Sequence, residues 1–268
     1  MSRNEDEHEC AVVTQLSSRA DISPVGFTAA YNRLKRAQKA GRGAPPYSLY
    51  INRPLGRVFA AAAYQVGLTP NQVTYLSAVF TFVGIGLLAV APATWLVGVV
   101  IAVLLVIGYA LDSADGQLAR LRGGGTLVGE WLDHMIDSVK VSALHLAVLL
   151  SFYRNFDLRP VWLLVPIGFA VVSAVHFFGM ILVDLMARAR RAEAGLPTPP
   201  KQSANVAKTL MKLPTDYGVF CLAILFLGWH PAFFAIYTFL AVATAGYTVL
   251  VAAKWRSDVV ALDAIAPR

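Results

Sequence analysis

Long apolar runs separated by short polar segments make up most of the sequence after residue 46. Four runs are predominantly apolar, and two are less uniform, one of them carrying Asp133, Asp137 and Lys140. A helix needs roughly 20 residues to cross a bilayer core about 30 Å thick. The pattern therefore predicts an all-α integral membrane protein with six transmembrane helices. The predicted spans are Val73–Val90, Thr94–Leu111, Trp131–Tyr153, Val161–Met186, Pro214–Gly228 and Ala232–Ala253.

Two amphipathic segments precede the first span. Between Val25 and Ala40, apolar residues recur at helical spacing beside basic ones, which predicts a short helix that is either solvated or bound to the membrane surface. Tyr47–Gly67 shows a similar pattern and predicts a second, interfacial helix. The alternative for this second segment is the opening of a longer first span.

The chain divides into one membrane domain and two polar flanking segments, with no internal repeat. We expect residues 1–46 to be a polar, partly disordered arm, residues 47–256 to be the membrane domain, and residues 257–268 to be a tail. No cleavable signal peptide is expected, because the first 45 residues are polar and charged.

Composition and charge favour a cell-membrane protein with a defined orientation. The chain is 57% hydrophobic and 15% charged, far from the balance of a soluble domain. Of its 23 Lys and Arg, nine precede the first span and six lie between Arg188 and Lys212, but only Arg154 and Arg159 lie on the opposite side. The positive-inside rule then predicts that both termini and the basic loop are cytoplasmic. Anionic lipid accounts for the net charge of +7, so we expect membrane lipids as partners and no nucleic acid.

Four carboxylates are concentrated between Asp112 and Asp137, on either side of a Gly123–Gly125 break. Two are spaced i,i+3 and two i,i+4, so each pair lies along one helix face. An antiparallel helical hairpin would bring all four to similar heights and facing each other. Their repulsion would require a cation, and oxygen ligands favour Mg²⁺ or Mn²⁺. The alternative is an ion-paired hairpin with structural carboxylates, although only Arg120 and Arg122 are nearby to neutralise them.

This stretch resembles, at every spacing, the motif DxxDGxxARx8GxxxDxxxD of the CDP-alcohol phosphatidyltransferase (phosphotransferase) family. The resemblance implies a metal-dependent enzyme of phospholipid biosynthesis that transfers a phosphatidyl group from a CDP-linked lipid, such as CDP-diacylglycerol, to an alcohol and releases CMP. It also implies two metal ions, held by the four aspartates, with Asp137 as the general base. The matching residues are Asp112, Asp115, Gly116, Ala119, Arg120, Gly129, Asp133 and Asp137.

Part of the sequence in and before this motif is similar to that of phosphatidylinositol-phosphate synthases. The run Arg120–Thr126 has their sequence pattern, which implies that Gly116, Arg120 and Thr126 contact the CDP-lipid. A similar LTPxxVT stretch begins at Leu68, where helix capping by Thr69 is an equally consistent function. The CDP-lipid-binding residues expected from the resemblance are Thr69, Pro70, Asn71, Gln72, Gly116, Ala119, Arg120, Thr126 and Gly129.

The basic residues near the carboxylates suggest an anionic acceptor, most simply a phosphorylated polyol. The candidates are Lys140, Arg188, Arg190 and Arg191. For Lys140 the alternative is pairing with a signature aspartate, and for the arginines it is a topology signal. Inositol phosphate, glycerol phosphate and serine all remain open, but the sixth span lacks the arginine that inositol-phosphate-using synthases carry there.

Two other classes of function remain as alternatives. The chain could be a divalent-cation transporter, although outside the hairpin the spans hold only Asp184 and Asp216, so no acidic relay crosses the bilayer. It could also be a non-catalytic membrane scaffold, but all eight motif residues are present. The sequence leaves open whether the protein is a monomer or a homodimer.

Overall fold

A computed structural model describes residues 26–36, 45–197 and 211–265, and these residues form helices and connecting turns without any β-strand. Of the predicted polar arm, residues 1–46, only residues 26–36 and 45–46 belong to the described part, so the predicted disorder stays a prediction. A π-helical turn, Ser48–Asn52, precedes α2, and 3₁₀ turns cover Pro160–Leu163, Leu213–Thr215 and Ile224–Phe226. The α-helices are α1 (Phe27–Arg36), α2 (Arg53–Gln65), α3 (Pro70–Val90), α4 (Trp95–Leu121), α5 (Leu127–Asn155), α6 (Leu164–Glu193), α7 (Tyr217–Ala223) and α8 (His230–Asp263).

Five helical segments, containing α3, α4, α5, α6 and α8, are long and apolar enough to cross a membrane. The all-α membrane fold predicted from the sequence is confirmed, but six membrane-length helices are not. The fifth predicted span, Pro214–Gly228, contains only a short apolar helix, Tyr217–Phe226. Ten residues rise about 15 Å, which is roughly half of the hydrocarbon core.

The short α7 segment still connects opposite ends of the bundle. Arg190 Nε donates to the carbonyl of Leu262 at 3.4 Å, so α6 and α8 finish side by side. His230 Nε2 lies 3.1 Å from the carbonyl of Ala93, so α8 begins beside the turn between α3 and α4, at the other end. The chain therefore returns across the bundle over residues 211–229, using 3₁₀ turns at both ends of α7. Residues 257–263, assigned from the sequence to the tail, continue α8.

Helix α3 supports α4 and α5, the signature helices, which carry the four aspartates of the motif. It packs closely against both α4 and α5, which make few close contacts with each other. Ser77 Oγ donates to the carbonyl of Gly108 at 2.8 Å, and a Cβ at Gly108 would overlap Thr81 Oγ1. The small residue thus lets α4 approach α3, as close helix packing in membranes requires. The resulting gap between α4 and α5 is where the carboxylates lie.

The two predicted amphipathic helices pack on the protein. In α1, Ala30 and Leu34 are buried, and the Arg57 guanidinium of α2 stacks over the Tyr31 ring at 5.4 Å. Gly56 of α2 directly faces α4, since a Cβ there would come within 2.8 Å of the Ser113 side chain. The sequence predicted these helices correctly, with α1 shorter within the described residues, but the protein itself covers much of their apolar faces.

Candidate active site

The hairpin between α4 and α5 has the predicted glycine break. Gly123 and Gly124 adopt φ angles of +99° and +133°, values that favour glycine. Gly124 N donates to the carbonyl of Ala119 at 2.9 Å, which ends α4. Thr126 then caps α5 by accepting a hydrogen bond from Gly129 N at 3.0 Å. The chain reverses here, so the two halves of the signature face each other.

Three of the four signature aspartates converge. Asp112, Asp133 and Asp137 each offer a carboxylate oxygen, and these oxygens all lie within 4.8 Å of one another. Two ligand atoms on opposite sides of an Mg²⁺ or Mn²⁺ ion are separated by about 4–5 Å, twice the metal–oxygen bond length. The three partly buried carboxylates can therefore hold a divalent ion.

Asp115 is held differently from the other three. Its side chain is only 8% exposed, and its Oδ2 accepts a hydrogen bond from Thr74 Oγ1 of α3 at 2.5 Å. The predicted cage of four facing carboxylates is thus three converging groups plus one carboxylate anchored to α3. Thr74 is a site residue that sequence reasoning missed, although it lies in the quoted LTPxxVT stretch, one helical turn after Pro70.

Lys140 is paired with the signature carboxylates. Its Nζ donates to Asp137 Oδ1 at 2.5 Å and to Asp112 Oδ1 at 3.0 Å. The residue is 5% exposed, and its Nζ lies 5.7 Å from the centre of the Tyr217 ring. Of the two possibilities left open by the sequence, the structure shows the ion pair; acceptor binding by Lys140 stays a prediction.

A stack of tyrosines stands behind Lys140. The Tyr217 ring meets Tyr109 edge to face, and Tyr109 stacks on Tyr47. Asp216 fixes this wall because its carboxylate accepts hydrogen bonds from the backbone N–H groups of Tyr47, Ser48 and Gly218.

The residues expected to bind the CDP-lipid lie near one another at the carboxylate end of the bundle. Thr69 caps α3 in a capping box, in which Gln72 N donates to Thr69 Oγ1 at 3.3 Å and Thr69 N donates to Gln72 Oε1 at 2.8 Å. Asn71, which follows Pro70 in the first turn of α3, lies beside Gly129 of α5, where a Cβ would be 3.1 Å from Asn71 Oδ1. The helix-capping function of Thr69 is therefore present, and the N-terminus of α3 lies next to the N-terminus of α5.

The helix α4 contributes an open surface to the same end. A Cβ at Gly116 would meet only Arg120 Nη1, at 3.5 Å, so the exposed Arg120 side chain lies over that glycine. Ala119 is buried, whereas Thr126 is exposed at the start of α5. Gly116 and Arg120 therefore leave open space beside a positive charge on the helix that carries Asp112 and Asp115.

Two of the basic residues of α6, Arg188 and Arg190, have partners within the described residues. Arg188 pairs with Glu130 of α5 at 2.7 Å and with Asp184 at 2.8 Å, so the end of α6 is joined to the start of α5. Arg190 contacts Glu193 at 3.3 Å as well as the end of α8, and Arg191 is partly exposed. Glu130 was not predicted, since nothing in the local sequence indicates a partner on another helix.

Comparisons with known proteins agree with the motif. The sequence model of the CDP-alcohol phosphatidyltransferase family matches residues 67–252. The phosphatidylinositol phosphate synthase of Corynebacterium glutamicum is 39% identical over 90 residues, which cover 34% of this chain and 39% of that relative. The chain therefore matches about two fifths of that relative's length.

Two crystal structures of the Mycobacterium tuberculosis phosphatidylinositol phosphate synthase are also similar. One, with CDP-DAG bound, is 26% identical, with 75% of this chain and 90% of that chain covered and a TM-score of 0.48. The other, in complex with manganese and citrate, is 24% identical, with 72% and 84% covered and a TM-score of 0.42.

Proposed function

The chain belongs to the CDP-alcohol phosphatidyltransferase family, and we propose that it transfers a phosphatidyl group from CDP-diacylglycerol, or a similar CDP-linked lipid, to an alcohol. The observation that carries this proposal is the convergence of Asp112, Asp133 and Asp137 between α4 and α5. They lie beside a glycine and an arginine that leave room for a phosphate-bearing ligand. A cation transporter or a scaffold would require neither this open space beside an arginine nor the complete motif.

The carboxylates fit divalent metal ions. We propose two ions, Mg²⁺ or Mn²⁺, held by Asp112, Asp133 and Asp137 together with Asp115. Their oxygen atoms are the ligand type that these ions prefer. When bound, the ions would neutralise the pyrophosphate and stabilise the charge that develops on the leaving oxygen.

The protein's own residues would bind the donor and move a proton. Arg120 offers its guanidinium to a phosphate, and the unpaired N–H groups of the first turn of α5, after Thr126, attract anions. Gly116 leaves space for the nucleotide. Asp137 would accept the proton of the acceptor hydroxyl while the oxygen of that hydroxyl forms a bond to the lipid-side phosphorus. The bond from that phosphorus to the bridging oxygen breaks, and CMP leaves with the electron pair.

We propose an anionic acceptor, most simply a phosphorylated polyol. Arg188, Arg190 and Arg191 lie at the end of α6, which the ion pair with Glu130 joins to the signature helix α5. Their positive field would favour a phosphate-bearing alcohol over a neutral one. Five membrane-length helices support a multi-pass protein, and the basic loop supports a cell-membrane location with the active site and both termini in the cytoplasm.

The proposal is tested with radiolabelled CDP-diacylglycerol and a panel of acceptors. Membranes containing the wild-type chain are incubated with glycerol phosphate, inositol phosphate, serine or inositol, and the lipid products are separated. We expect one anionic acceptor to give a new labelled lipid, and membranes with Asp112→Asn to give none. The absence of acceptor-dependent product with every acceptor would contradict the proposed reaction, and preference for an uncharged alcohol would contradict only the proposed acceptor.

A further inference from the structure

Lys140 is the cation placed deepest beside the signature carboxylates. It comes one turn after Asp137 on α5 and is nearly inaccessible to solvent. A buried charge in a membrane helix is unfavourable without partners, and this ammonium has two, Asp137 on its own helix and Asp112 on α4.

The contact with Asp112 crosses the gap between the signature helices. Since α4 and α5 each pack on α3 and make few close contacts with each other, α3 and the glycine turn set the separation of the two helices, and Lys140 is the side chain that joins their carboxylates directly. Lys140 binds one oxygen, Oδ1, of Asp112 and one of Asp137. The second oxygen of each carboxylate remains available as a ligand.

We propose that Lys140 is a built-in counter-cation of the metal site, which holds Asp112 and Asp137 together across the gap and limits how tightly divalent ions bind. Carboxylates at this distance repel one another, and the ammonium offsets that repulsion. The same fixed charge repels an incoming divalent ion, so it keeps the metal exchangeable. This inference rests on the proposed metal site and gives Lys140 a positioning role.

The geometry favours this role over contact with the acceptor. The ammonium already donates to two carboxylates, and the Tyr217 ring lies on a further side of it. Two of its three N–H groups are used in this way, and the residue is only 5% exposed, so a soluble acceptor phosphate has little access to it. Arg188, which is far more exposed, is better placed for a soluble anion.

The test is the affinity of the purified protein for Mn²⁺ alone, together with its thermal unfolding midpoint in chelator and in Mn²⁺. Lys140→Met removes the charge and keeps an unbranched side chain that is one atom shorter, Lys140→Arg retains the charge, and Lys254→Met is the matched control at the exposed end of α8, where Lys254 pairs with Asp258. We expect Lys140→Met to bind Mn²⁺ at least tenfold more tightly than the wild type does and to unfold at a lower temperature in chelator. Addition of Mn²⁺ should raise its unfolding midpoint by more than it raises that of the wild type. Lys140→Arg should stay near the wild type in all three, and Lys254→Met should not change Mn²⁺ binding.

Unchanged or weaker Mn²⁺ binding by Lys140→Met would overturn the inference. If Lys140→Met folds only when it is prepared in Mn²⁺, that dependence supports the inference. If it does not fold even in Mn²⁺, Lys140→Gln is measured instead, and Mn²⁺ binding by Lys140→Gln equal to that of the wild type overturns the inference. A selective rise in the acceptor KM, with both Mn²⁺ readouts unchanged, would assign Lys140 to the acceptor instead. Since these binding measurements use no lipid, their failure is distinct from a failure of phosphatidyl transfer.

Discussion

The hydrogen bond between Thr74 and Asp115 gives the sharpest stability prediction. Thr74→Val keeps the shape of the side chain but removes the hydroxyl that donates to the buried carboxylate at 2.5 Å. A hydrogen bond to a charged group contributes about 1.5–3 kcal/mol. In a domain of this size, 1 kcal/mol shifts the unfolding midpoint by about 2–4 °C. We therefore expect the midpoint of the purified protein to fall by roughly 3–12 °C.

The same helix offers a matched control. Thr81 is fully buried two turns further along α3, and its hydroxyl has no hydrogen-bond partner within the described part of the chain. Replacing an unsatisfied buried hydroxyl by a methyl group is neutral or stabilising, so Thr81→Val should keep or raise the midpoint. Equal losses in the two variants would show that the Thr74 effect reflects general packing, and an unchanged midpoint in Thr74→Val would refute the reasoning.

Three further predictions concern topology, packing and the acceptor. A cysteine introduced at Asp157 should react with a membrane-impermeant reagent only from outside the cell, and labelling from the cytoplasmic side alone would overturn the predicted orientation. Gly108→Ala, which forces a methyl group against Thr81, should destabilise the protein by about 1–3 kcal/mol, whereas Gly86→Ala, with no atom within 4 Å of its Cβ position, should be tolerated in the same unfolding assay. Arg188→Ala should raise the KM for the acceptor roughly tenfold to a hundredfold and the KM for the CDP-lipid much less; equal effects on both would leave this arginine with a structural role.

The helices that contain long apolar runs could be predicted from the sequence, because their burial in lipid depends on local composition. The predicted span Val73–Val90 differs from α3 only by the capped first turn at Pro70. The segment Pro214–Gly228 was predicted as one membrane helix and is not confirmed as such, because composition alone does not reveal that 3₁₀ turns replace part of the helix. Its ends are set by packing against α8, where Thr244 Oγ1 donates to the carbonyl of Pro214 at 3.0 Å.

The site was predictable as far as it depends on spacing along one helix or across the glycine turn. The facing of Asp112 with Asp133 and Asp137 follows from such spacing. The pairing of Asp115 with α3 and of Arg188 with Glu130 depends on how each helix is rotated about its axis, which contacts between distant residues decide. For Lys140, sequence position gave two alternatives of similar merit, and only the separation of α4 from α5 shows why an ammonium fits between them.

Metal-dependent release of CMP from CDP-diacylglycerol tests the central claim most directly. The purified wild-type chain is compared with Asp137→Asn and with Asp258→Asn, a control on the exposed end of α8, in Mg²⁺ or Mn²⁺ and in chelator, with the acceptor panel present. We predict that the wild type and Asp258→Asn release CMP only with metal, and that Asp137→Asn loses at least a hundredfold, about 2.7 kcal/mol of transition-state stabilisation. Release that persists in chelator, or wild-type rates in Asp137→Asn, would contradict the account.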